Sequence, residues 1–173
     1  MKTNFIVFFL LVIGICSCNE SSENAIDPQP NLTFERTGMP QIILENVGGQ
    51  VAGSNYEAGT TESLQIIATN NSDDITVTID LVDNNSNIQE IQSGNTFAID
   101  NAQSNNVYAT LSILENMTTY RATSGTVSIS FYGLQSPNSN IIIISGSFEV
   151  SDGTNPAKGT FSDIKLICSE CGG

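Results

Sequence analysis

Residues 75–82 place Ile75, Val77, Ile79 and Leu81 at every second position, with Thr76, Thr78 and Asp80 between them. Successive side chains of an extended chain point to opposite faces, so this spacing makes one apolar and one polar face. A helix cannot use it, because a helical stripe needs apolar residues three and four apart. The same period recurs at Val107, Ala109, Leu111 and Ile113, and again at Val127, Ile129 and Phe131. Residues 141–150 read as a longer strand with Ile142, Ile144, Gly146, Phe148 and Val150 on one side. A glycine in mid-strand, here Gly146, predicts a bulge or a bend. Weaker strands are expected at 41–44, 49–52, 64–69, 96–99 and 159–166.

The runs are separated by turn-forming stretches such as Asn70-Asn71-Ser72-Asp73 and Ser151-Asp152-Gly153-Thr154. Their short polar side chains bond readily to their own backbone. Helix is expected nowhere at length, and at most for one turn around residues 112–117. Short links favour antiparallel neighbours, since parallel pairing needs a long crossover. The expectation is an all-β, single antiparallel domain of eight or nine strands, either a β-sandwich or an up-and-down, calycin-like barrel.

All 18 acidic residues lie beyond Cys18, opposed there by Arg36, Arg121, Lys158 and Lys165, a side-chain balance of −14. So acidic a surface repels phosphate backbones and anionic headgroups, which argues against nucleic acid as a partner. The chain has no His and no Trp. Without His, Ser–His and Cys–His nucleophile activation are excluded, and the commonest zinc ligand is missing.

The first residues read Met1-Lys2-Thr3-Asn4, followed by an apolar run from Phe5 to Ile15. That run is too short to span a bilayer but fits the centre of a secretory signal. Ile15-Cys16-Ser17-Cys18 follows and resembles the bacterial lipobox, with small Ser17 directly before Cys18. The expected organisation is a signal peptide over residues 1–17, a lipidated Cys18 with a hydrophilic tether over 18–31, and a β-domain over 32–173. The membrane is then the first expected partner, reached through an anchor whose buried methylenes contribute about 0.8 kcal/mol each. Asn19-Glu20-Ser21-Ser22-Glu23-Asn24 is similar to the acidic stretch of surface-exported lipoproteins of the Bacteroidota. Surface display therefore ranks just ahead of a periplasm-facing position at the outer membrane.

Residues 120–129, then Ile144-Ser145-Gly146-Ser147-Phe148-Glu149-Val150, then Lys158-Gly159-Thr160-Phe161 form a recognisable succession. It resembles a Bacteroidota lipoprotein family of unknown function, in which a Tyr strand, a Gly-x-Phe-type strand and a final Gly-x-Phe strand close a β-domain. Gly48-Gly49-Gln50-Val51 stands where such proteins carry an early glycine-containing strand, and Val150 replaces the more usual aromatic. The resemblance implies no activity. Read from the residues alone, Phe148 and Phe161 are expected to fill the core.

Cys168-Ser169-Glu170-Cys171 admits a redox dithiol, half of a metal site or a small structural disulfide. Glu170 would raise a thiol pKa, and no second cysteine pair remains to complete a zinc site, so a Cys168–Cys171 disulfide fits an oxidising compartment best. Asp73-Asp74, Asp83-Asn84-Asn85 and Asp152-Gly153-Thr154-Asn155 supply oxygen atoms suited to calcium but lack the EF-hand spacing, and they read as solvated turns. No metal or other cofactor is expected, and no residue is nominated as catalytic. The functional expectation is a non-catalytic, lipid-anchored binding or accessory module with a protein or glycan partner at the cell envelope. Two alternatives stay open: a calycin-like barrel around a small apolar ligand, and a carboxylate-dependent hydrolase.

Overall fold

A computed structural model describes residues 29–55, 60–70, 72, 74–85, 90–169 and 171. Eleven strands run in chain order: β1 (Asn31–Arg36), β2 (Ile42–Leu44), β3 (Asn46–Asn55), β4 (Thr60–Thr69), β5 (Ile75–Asp83), β6 (Thr96–Ala98), β7 (Val107–Glu115), β8 (Thr118–Arg121), β9 (Ser124–Leu134), β10 (Ile141–Ser151) and β11 (Pro156–Cys168). Among the described residues there is no helix. All nine expected strands are present. The two additions are short: β1 contributes Leu32 and Phe34 to the core, and β8 contributes Tyr120.

The strands form one sheet in the order β6-β9-β10-β11-β3-β4-β5-β7-β8, which curls into a half-barrel. One edge of β11 pairs with β10, and its other edge is shared. Residues 157–162 take β1 as an antiparallel partner, while Leu166, Ile167 and Cys168 take β3 in parallel. Among the described strands the β3–β11 ladder is the one parallel ladder, and it joins regions far apart in sequence. The far ends of the sheet meet at a single bridge, Ile99 to Ala109. There Ile99 N–H donates to Gly125 O at 3.0 Å and Asp100 N–H to Ala109 O at 3.0 Å, tying β9 to β7.

The helical turn expected around 112–117 is instead a strand end and a hairpin. β7 runs to Glu115, and Asn116 and Met117 turn the chain with φ of 48° and 63°. Positive φ at both central residues gives the twist that lets two right-handed strands return on each other. The helical reading failed because Ser112, Leu114 and Glu115 belong to a ladder with Arg121, Thr119 and Thr118 that local sequence does not display.

The concave face holds the core. Phe34, Phe97, Phe148, Phe161, Leu32, Ile66 and Ile79 are all within 1% of full burial. Gly146 does mark an irregularity. Beside it β9 carries an extra residue, Ser130, and β11 carries a second one near Asp163, whose φ is 54°. Each extra residue inverts the in–out alternation of its strand. Val127 and Ile129 therefore face the core as expected, but Phe131 does not. It points outward at 49% exposure, and Tyr132 turns in instead, sharing a hydrogen bond of 2.9 Å with Thr61.

Candidate functional site

Cys18 lies outside the described residues, as do the expected signal peptide over 1–17 and the expected tether up to residue 28. Cys168 and Cys171 are joined in a disulfide with their α-carbons 5.4 Å apart. Both are buried, at 1% and 5% exposure, and Cys168 N–H donates to Asn140 O at 2.9 Å. The bond clasps the end of β11 against the core, where a redox partner would find little sulfur surface.

The acidic turns use their oxygens internally. Asp83, 4% exposed, accepts from Asn85 N–H at 2.9 Å and Glu90 N–H at 2.8 Å. Asp152 accepts from Thr154 N–H and Asn155 N–H, and Asp100 accepts from Ser104 and Asn105. Those donors pull the carboxyls of Asp152 and Asp100 below their ordinary value, led by Asn155 N–H in the first and the Ser104 hydroxyl in the second. Among the described residues, no group of three or more His, Cys, Asp or Glu is placed to hold a metal ion.

Two clefts open on the convex face. The larger, about 640 Å³, lies where β1, β9, β10 and β11 end. Its floor is the cross-strand row Glu35–Lys158–Glu149, with Lys158 2.8 Å from Glu35, and Met39 stands at its rim, half exposed. The second, about 290 Å³, lies over β3, β4, β5 and β7. Registered pairing sets Gln50, Gln65, Asp80 and Thr110 side by side across these four strands. Gln65 Nε2 donates to one Asp80 oxygen at 2.8 Å and Thr110 Oγ1 to the other at 2.9 Å. Such a ladder holds planar polar groups in fixed positions at the edge of water.

A third group sits at the end of the concave face. Arg36, in register with Ala157, reaches across the curl and pairs with Glu115. Its guanidinium lies 5.9 Å from the centre of the Tyr120 ring, and the Tyr120 hydroxyl donates to Asn155 O at 2.6 Å. Burial, reinforced by the Asp152 carboxylate, raises the Tyr120 phenol above its ordinary 10.0. Arg36 Nε is buried with no partner among the described residues. The group links β1 to the β7–β8 hairpin, and it is legible only once β1 is known to be a strand.

No family model, curated protein or solved structure matches this chain. Its surfaces must therefore be interpreted from their own chemistry. Among the described residues, large apolar side chains at 40% exposure or more are Met39, Ile43, Ile67, Leu114, Met117, Phe131 and Ile167. The last two stand on adjoining parts of one face, flanking β10, whereas the others are spread over the remaining strands and turns.

Proposed function

We propose that this chain is a lipid-anchored β-domain of the bacterial cell envelope, attached through the sulfur of Cys18 and acting as a non-catalytic binding or accessory module. The reading extends to the outer membrane, with surface display ranked just ahead of a periplasm-facing position, and to membership of the Bacteroidota lipoprotein group that the sequence resembles. The observation that carries it is where polar chemistry lies. The concave interior is packed with Phe, Ile and Leu, and the fixed polar ladder Gln50–Gln65–Asp80–Thr110 faces outward. An outward row of positioned donors and acceptors suits contact with a protein or glycan.

The calycin-like alternative requires an apolar cavity of several hundred cubic ångströms. Inward-facing Phe34, Phe97, Phe148 and Phe161 are each at most 1% accessible, leaving no water-sized space beside these rings. The hydrolase alternative requires two carboxyls poised across a cleft. In the larger cleft Lys158 stands between Glu35 and Glu149 and pairs with the first, which suits a surface charge row better than an acid–base couple.

Metabolic labelling with an alkynyl fatty acid tests the anchor. Label on the wild type and none on Cys18→Ala is the expected result; equal labelling of both would sink the site assignment. Protease shaving of intact cells then separates surface display, which gives cleavage, from a periplasm-facing position, which gives protection.

A further inference from the structure

Period-two alternation would bury Phe131, yet the bulge at Ser130 turns it to the convex face. Bulges re-aim side chains at functional edges, and an exposed ring carries meaning where it joins a contiguous apolar patch. Phe131 has company there. It is in register with Ser145, two residues from Ile143 along β10, and Gly133 opposite Ile143 puts no side chain between them. Ile141 lies two residues further and is the register partner of Ile167, which is 65% exposed. Phe131, Ile143, Ile141 and Ile167 thus form one outward apolar stripe across β9, β10 and β11. The charges beside it are Lys165, in register with Ile143, and Asp163 at the β11 bulge. They balance, on a domain whose side chains otherwise sum far to the negative.

Position indicates what covers the stripe. Asn31, the first residue of β1, is in register with Ser162, which lies at the level of Ser145 and Phe131. β1, β11, β10 and β9 are consecutive neighbours, so the chain enters the domain about 14 Å from Phe131, three strand spacings away. Ten residues separate Cys18 from Gln29. Even fully extended they reach at most about 40 Å, so an anchor at Cys18 confines this side of the domain to the bilayer's vicinity.

We infer that the stripe Phe131–Ile143–Ile141–Ile167 seats in the headgroup boundary of the bilayer that holds the anchor. This rests on the Cys18 anchor proposed above. The surface it suits is zwitterionic, because the acidic domain is repelled by anionic lipid. Tethering makes the second contact intramolecular, so a few apolar side chains suffice where they would fail in free solution. The domain then lies on the membrane by this face, so that Gln50, in register with Ile167, stands at the edge of the headgroups and the ladder runs from there through Gln65 and Asp80 to Thr110, up to four strands away from the stripe.

Because the chain has no Trp, one substitution supplies a unique reporter. The full mature protein carrying F131W, and separately T119W on exposed β8, is placed in phosphatidylcholine–phosphatidylethanolamine vesicles with brominated acyl chains, and its N-terminal peptide is weighed. The expected result is a blue-shifted emission and at least threefold stronger bromine quenching for F131W than for T119W. Equal, weak quenching of both with lipid present on Cys18 overturns the stripe and leaves the anchor standing. A blue shift without quenching also overturns it, since a protein surface and not lipid would then cover the ring. Strong quenching of F131W on a peptide without lipid supports the stripe and sinks the anchor, while neither lipid nor quenching sinks both. In the background of Ile167→Ser, F131W quenching should fall at least twofold.

Discussion

The ring of Phe148 lies over the α-carbon of Gly159, its register partner across β10 and β11, so that a β-carbon there would run into the ring and into Thr33 O. The relationship is reciprocal two residues away, where Phe161 covers Gly146. Each glycine makes room for the other strand's aromatic ring, and each ring shields glycine backbone from water.

Gly159→Ala should therefore destabilise the fold by about 1–3 kcal/mol, the usual cost of overpacking a filled core. Gly48 supplies the control, because a β-carbon there meets nothing within 4 Å. Urea denaturation should show a lowered midpoint for Gly159→Ala and almost none for Gly48→Ala. Equal midpoints would remove the aromatic–glycine pairing as the reason for these residues.

The mature protein should titrate as thiol-free even when unfolded. On the function proposed above Cys16 would leave with the signal and Cys18 would carry the lipid, while Cys168 is bonded to Cys171. Closing so short a loop restricts the unfolded chain by about 2 kcal/mol on the chain-entropy view. Reduction, or the double substitution Cys168→Ala/Cys171→Ala, should lower stability by roughly that amount and leave the sheet intact by circular dichroism. A thiol count of two in the untreated unfolded protein would show the clasp to be open.

Acid should weaken the domain through its turns. The carboxyls of Asp100 and Asp152 sit below their ordinary 3.8 when folded, so the stability they add is complete above that value and is lost as pH falls through the folded value. Tyr120 acts at the other end: its raised phenol adds stability that is complete below about 10 and lost as pH climbs through the folded value. Melting temperature should hold level between about pH 5 and 9 and decline on both sides. Asp100→Asn should flatten the acid decline, and Tyr120→Phe the alkaline one. Unchanged limbs in these variants would show that other groups govern the titration.

Much of the architecture was legible because the strand signal is local. β5 carries uninterrupted alternation that its burial follows from Thr76 onward, and β7 does the same from Ala109 to Ile113, with Tyr108 buried as well. Phe148 and Phe161 were likewise placed in the core from pattern alone, as was the irregularity at Gly146. β1 and β8 escaped because each is short and offers one or two buried side chains, so its existence depends on the partner beside it. The candidate surfaces were scarcely legible at all. Gln50, Gln65, Asp80 and Thr110 lie on four different strands, and only registered pairing sets them in a row.

What residue order alone established is the alternation, the turns, the acidic surface and the absence of histidine, each a property of short stretches or of composition. Tertiary structure decided that β3 runs parallel to β11, that Arg36 reaches Glu115 across the curl, and that Phe131 faces water while Tyr132 faces the core. The reason is that side-chain direction along a strand depends on an unbroken count of residues. One inserted residue, Ser130, reverses that count, and the insertion is defined by the neighbouring strand, which local sequence does not contain.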